Sequence, residues 1–203
     1  MVPSFVREAV AAEIAGRGVA AAPLITATAV VTHEPSGRRA AGVHVYGVDE
    51  RFWNFHGLDA PDGEQASPAL ARELGAAAGD ALLARLQRPS EIPLESLFGR
   101  RDEVGRTIRL ALAGVLPRDR LGEFVLQPQQ DEVRSLFVPL RRVQRDLGVG
   151  GRVNTVLLGA DVPPADVLPG LTLEDLGVKV RYLEAARAIS VESDGGVLNE
   201  ALQ

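Results

Sequence analysis

The sequence predicts an α+β fold, a sheet protein with a few short helices. Period-two alternation marks the strands. Val43 and Val45 alternate with His44 and Tyr46, and Ile108, Leu110 and Leu112 alternate with Thr107, Arg109 and Ala111. The helices are marked by their ends. Ser67-Pro68 sets an N-cap before proline at the first helical position, and Gly75 stops the run; Pro139 opens a second helix that Gly148 closes. Between these regular stretches, proline and glycine punctuate the chain from about residue 50 to 135.

Taken in order, Ser4 is read as the N-cap of an amphipathic helix that carries Val6, Val10 and Ile14 on one face and ends at Gly16 and Gly18. Leu24 to Val31 is β-prone, and Glu34 to Arg39 is turn chemistry, so this run and the one from Val43 form a hairpin. Gly47 interrupts the second strand, Asp49-Glu50 begins a polar turn, and Phe52, Trp53 and Phe55 follow as a hydrophobic corner. Trp53 is the only tryptophan. Aromatic side chains bring the most buried area per residue, so a chain this poor in them is expected to place them where pieces of structure meet. A ligand-stacking site is the alternative reading of the same cluster.

Gly57 to Gln65 reads as loop, Ala81 to Gln87 as strand, Arg88 to Glu103 as an irregular excursion and Pro117 to Asp131 as polar loop. The helix opened by Pro139 puts Leu140, Val143 and Leu147 on one side. Arg152 to Leu158 is a strand, and Asp161 to Gly170 is a loop with three prolines. Thr172 and Asp175 form a weak capping box over one turn, and Val178 to Tyr182 and Ala188 to Val191 are the last two strands. The two outer parts each resemble a split βαβ unit. The expected layout is therefore one subdomain built from residues 1–49 and 136–203, a small α/β subdomain inserted at 50–135, and Trp53 with Phe55 at their junction.

At 203 residues the chain is long enough to bury a sizeable core. Its net charge of −5, with both signs dispersed, argues against a nucleic-acid surface. It has no cysteine, which removes disulfides, thiol chemistry and cysteine-ligated metals. No run reaches the roughly 20 apolar residues of a membrane helix, and the N-terminus lacks the layout of a signal peptide.

No active site is nominated. His33, His44 and His56 have no metal-ligand spacing, and His44 reads as an ordinary strand histidine. No G-x-S-x-G elbow is present, although a Ser–His–Asp set assembled in space stays open. Gly148-Val-Gly-Gly151 follows a helix and precedes a strand, the reverse of a phosphate loop, and reads as a helix stop. Arg100-Arg-Asp-Glu103 reads as a solvated charge run, and the glutamines of Gln127-Pro-Gln-Gln130 as a polar loop or the lining of a groove. No residue is assigned a catalytic, cofactor-binding or metal-binding role.

Several segments nevertheless stand in a familiar order. Gly42-Val-His-Val-Tyr-Gly-Val-Asp-Glu-Arg-Phe-Trp53 resembles the V-x-V-x-G-V-D-x-x-F-W segment of FtsX-like, MacB-like ABC transporter permeases. Ser67 to Gly75 with Gly79-Asp80 is similar to the family's L-A-x-x-L-G-x-x-x-G-D, and Ile108 to Pro117 to its V-x-G-V-L strand. Phe137-Val-Pro-Leu140 with Gln144 resembles F-V-P-L-x-x-L-Q, Arg152-Val-Asn154 resembles R-V-N, and Val191-Glu-Ser-Asp194 resembles the closing L-E-S-D.

The resemblance covers nearly the whole chain and concerns only the extracytoplasmic core domain of the permease. It implies an excised domain, with Met1 added and membrane helices on both sides in the full protein. It also implies a porter-like subdomain made from both chain ends, each leaving toward the same membrane face. The implied role is non-enzymatic: coupling ATP hydrolysis inside the cell to substrate export or partner regulation outside it. The implied partners are a second permease subunit, a cytoplasmic ATPase, and an extracytoplasmic protein or lipophilic substrate. A stand-alone hydrolase-like enzyme and a passive interaction domain are the alternatives.

Overall fold

The computed structural model describes residues 5–86, 106–127, 129–159, 178–184 and 187–193, together with 163, 171–173 and 175. The strands among them are β1 (Val6–Arg7), β2 (Ala21–His33), β3 (Arg39–Val48), β4 (Glu64–Ala66), β5 (Ala81–Leu86) and β6 (Arg106–Val115). They continue with β7 (Ser135–Pro139), β8 (Arg152–Val153), β9 (Thr155–Leu158), β10 (Val178–Leu183) and β11 (Ala188–Ser193). The helices are α1 (Ala9–Ala15), α2 (Glu50–Phe55), α3 (Pro68–Leu74) and α4 (Leu140–Leu147).

The large sheet closes on itself. Its hydrogen-bonded order is β3-β7-β4-β6-β5-β2, and β2 pairs back to β3, which leaves β9 as an extension along β2. β3 with β7 and β4 with β6 run parallel, and the other neighbours are antiparallel. Closure removes the open edges that would otherwise need protecting. Strands β4, β5 and β6, from the 50–135 segment, do not form a sheet of their own. They complete the ring between β7 and β2. The two flanking segments do pair with each other, through β3–β7, β2–β9 and β1–β8.

Alternation sends side chains to two cores on opposite faces of the sheet. Val43 and Val45 of β3, with Leu136 and Val138 of β7, join α3 and α4 through Leu70, Leu74, Leu140 and Val143. Tyr46, Val48 and Phe137 point the other way, into a smaller core with Phe52 and Trp53 of α2. Gly47 explains how close α4 comes. A Cβ there would lie 3.1 Å from Val143 and 3.3 Å from Ile25, so any larger side chain would push the helix off the strand. Gly148 ends α4 in the left-handed conformation (φ 73°), as a helix stop and not a phosphate loop.

The N-terminal helix starts later than its periodicity predicts. Val6 and Arg7 pair with Val153 and Arg152, and Glu8 N–H donates to the Gly151 carbonyl at 2.8 Å, so this stretch extends as a strand and α1 begins at Ala9. Ser4 and both chain ends, on which the expectation about a shared membrane face depends, lie outside the described residues, as does the Arg88–Glu103 excursion.

Arg152 to Leu158 is two strands because Asn154 leaves the ladder. On one edge of β2, Ala21 to Leu24 pair with β9 and Ala29 to His33 with β5, and Thr26 falls in the gap between them. The Asn154 carboxamide fills that gap as a strand would. Its Oδ1 accepts from Thr26 N–H at 2.8 Å, and its Nδ2 donates to the Thr26 carbonyl at 2.8 Å. Asn154→Leu strands both backbone groups and is expected to lower unfolding stability by about 2 kcal/mol. Chemical denaturation measures this, and an unchanged midpoint would show the bridge to be dispensable.

Candidate functional site

Strands β3 and β7 lie side by side in parallel, with Gly47 opposite Val138 and Val48 opposite Pro139. Each leads directly into a helix, β3 through Asp49 into α2 and β7 into α4. The space beyond the carboxyl ends of parallel strands is where α/β sheets commonly hold their ligands. Here it is walled by the aromatic corner.

That corner is a helix, not the turn expected from Asp49-Glu50. Asp49 has extended backbone angles, its carboxylate accepts from Arg51 N–H at 3.0 Å, and Glu50 stands in the first turn, where the helix dipole favours it. This cap overrides the β preference of Phe-Trp-x-Phe. Phe52 is fully buried and Trp53 is 5% exposed. The Trp53 ring lies 5.3 Å from Phe52, edge to face, and 5.6 Å from Phe137. Phe124, from the loop after β6, packs edge-on at 5.1 Å from Tyr46 and 5.3 Å from Phe52. Phe55 is partly buried at the margin of this core.

Two hollows meet at Trp53 and Pro61, which line both. The larger, about 360 Å³, lies against Val48, Asp49, Glu50, Asp62, Pro139 and Arg141. The smaller, about 190 Å³, lies against Leu58, Asp59, Gln65, Val115 and Arg120.

A polar network runs from Asp49, in the wall of the larger hollow. Arg51 binds Asp49 through Nε, at 3.2 and 3.1 Å, and also contacts Glu8. The other Glu8 oxygen accepts from Gln144 Nε2 at 2.7 Å, and Gln144 also donates to the Arg152 carbonyl at 3.1 Å. Burial opposes the charge on Glu8, but hydrogen bonds from Gln144 and Arg51 outweigh it and hold the carboxyl below its usual range. The residue preceding α1 is thus tied to both helices that wall the hollow.

The histidines take separate places. His44 is half-buried on β3, with Nε2 3.2 Å from Gln129 Oε1. That glutamine lines neither hollow. His56 packs edge to face against Phe52 at 4.8 Å and Phe124 at 5.4 Å, and burial pushes its pKa down.

His33 lies between a serine and an aspartate but hydrogen-bonds only the first: its Nδ1 is 2.7 Å from Ser36 Oγ, whereas its buried Nε2, 3.2 Å from Asp80 Oδ2, makes no hydrogen bond to it. Ser36 Oγ also accepts from Arg38 N–H at 3.3 Å, and Asp80 Oδ2 from Ala77 N–H at 2.8 Å. The three residues lie where the β2–β3 turn meets the turn before β5, and none of them lines the two hollows. Among the described residues no cluster of three or more metal-ligating side chains occurs. Arg100–Glu103 lies outside them.

No protein-family model matches the sequence, and no curated relative matches it. Solved structures do. The periplasmic region of MacB from Actinobacillus actinomycetemcomitans is 11% identical, over 94% of this chain and 80% of that one, with a TM-score of 0.48. The extracellular domain of the noncanonic ABC-type transporter YknZ from Gram-positive bacteria is 12% identical, over 94% of this chain and 91% of that one, with a TM-score of 0.54. The chain has the fold of the extracellular domain of the ABC-type transporter YknZ.

Proposed function

We propose that this chain works outside the membrane as the extracytoplasmic domain of an ABC transporter permease. In this reading it couples ATP hydrolysis by a cytoplasmic ATPase to substrate export or to regulation of a partner. The observation that carries the proposal is the shared fold with the YknZ extracellular domain over nearly the full length of both. The role is non-enzymatic, and the membrane is reached through helices outside this chain.

The polar network supports the coupling. Motion entering ahead of α1 reaches Glu8, which holds Arg51 of α2 and Gln144 of α4, the two helices that frame the aromatic corner.

The cysteine-free sequence makes a test direct. In cells producing the permease with its ATPase, a membrane-impermeant maleimide is expected to label Ala41→Cys, an exposed position on β3, without lysis. Labelling of Ala60→Cys, beside the larger hollow, is expected to change rate when the ATPase is trapped with a non-hydrolysable nucleotide. Labelling at Ala41 only after lysis would refute the location. A rate at Ala60 indifferent to the nucleotide would refute the coupling.

A further inference from the structure

We infer that the two hollows flanking Trp53 form one groove for an extended peptide segment in which an apolar side chain stands next to a basic one. The source of that peptide, a partner or substrate outside the membrane, rests on the extracytoplasmic reading; the groove itself does not.

Three observations carry the inference. The first is shape. The hollows share Trp53 and Pro61 in their linings and differ in size, about 360 and 190 Å³. The larger stands at the small end of the roughly 300–1,000 Å³ typical of ligand pockets. Two compartments of that size suit successive side chains of an extended chain, as in strand-like peptide recognition. They do not suit one bulky compact ligand or a lipid tail.

The second is the chemistry of the dividing wall. Trp53 is held by Phe52 and Phe137, so its position is fixed before anything binds. The indole edge carries a donor-only N–H. A rigid ring edge with a donor suits a peptide, which brings a carbonyl with each residue.

The third is charge. Asp49 is committed to Arg51, but Glu50, Asp59 and Asp62 have no ion-pair partner among the described residues, against Arg141 and Arg120 on the same walls. The carboxylate excess favours a cation beside the apolar contact and disfavours an anionic lipid headgroup.

Trp53 is the only tryptophan, so its fluorescence reports occupancy of the groove without a label. The probes are acetyl-(Leu-Lys)3-amide, acetyl-(Leu-Glu)3-amide and phosphatidylglycerol vesicles, titrated into the chain. A saturable change with the lysine peptide is expected, with binding about tenfold weaker for the glutamate peptide. Asp62→Asn is expected to weaken the lysine peptide about threefold. Ala60→Leu, which fills the larger hollow, is expected to abolish its binding. Both variants should keep the wild-type thermal midpoint, and isothermal calorimetry gives a second readout for each. No saturable response to either peptide, or equal responses to both, overturns the inference. So does a response to the vesicles in place of the peptides. A failure here leaves the cysteine-labelling result unchanged, so the two readings fail separately.

Discussion

Trp53→Ala is expected to lower unfolding stability by about 3 kcal/mol, the low end of the range for truncating a buried aromatic. For a chain of this length that corresponds to a fall of about 6–12 °C in thermal midpoint. The low end applies because the ring borders two hollows, so part of its volume is already unopposed. What is lost is its contact with Phe52 and Phe137, and Phe137 is the β7 residue that faces the smaller core. Trp53→Phe keeps a ring in place and is expected to cost only about 1 kcal/mol. Differential scanning calorimetry separates the two variants. An unchanged midpoint for Trp53→Ala would mean that the corner holds nothing together, and that its only role is at the surface.

Elements defined by local chemistry were readable from the sequence. Ser67 caps α3 by accepting from Leu70 N–H at 3.2 Å, and Pro68 and Gly75 bound it as their positions require. The β6 alternation puts Ile108, Leu110 and Leu112 in the core. The misses have common physical causes. Helix α2 reads as an aromatic corner because Phe and Trp favour strands, yet Asp49 as N-cap with Glu50 behind it was the available signal. Strand β4 spans three residues, too few for alternation to show, and it is buried only because the ring closes over it. Its neighbours, β6 and β7, lie about 45 and 70 residues further along the chain.

The residues that carried the resemblance prove to be structural. Asn154 completes the edge of β2, Gln144 anchors Glu8, and Gly47 admits α4. The candidate groove was only half legible. Trp53 stood out by composition, but the Pro61–Asp62 loop reaches it from a stretch that reads as featureless connection.

The second large effect is expected where Asp175 meets β1. Asp175 is 3% exposed and receives Arg7 through the backbone N–H at 2.9 Å, Nε at 3.1 and 3.0 Å, and Nη2 at 2.8 Å. Thr172 adds its N–H and hydroxyl, both at 2.9 Å, which makes the Thr172–Asp175 capping box part of a larger clasp. The clasp joins β1 to the segment that leads into the β10–β11 hairpin, a pair with no other strand neighbour among the described residues. Burial alone would raise the Asp175 pKa. Hydrogen bonds from the Arg7 side chain, the Thr172 and Arg7 backbone and the Thr172 hydroxyl outweigh it and hold the carboxyl well below the usual carboxylate range.

A carboxyl depressed in the folded state stabilises the fold at pH above its unfolded value of about 3.9, and that contribution is lost as pH falls toward the folded value. Asp175→Ala is therefore expected to cost about 2–3 kcal/mol at neutral pH, because the donors of Arg7 and Thr172 lose a buried, charged acceptor. The gap between wild type and variant is expected to narrow steadily below about pH 4. Asp175→Asn keeps the shape but not the charge, and is expected to be destabilised less and to show the same narrowing. Denaturant unfolding from pH 7 to pH 3 measures both. Amide hydrogen exchange in β10 and β11 adds the local readout, with faster exchange in Asp175→Ala at neutral pH. A wild-type–variant gap that stays constant across that range would show that the carboxylate charge contributes nothing to holding Asp175 against β1.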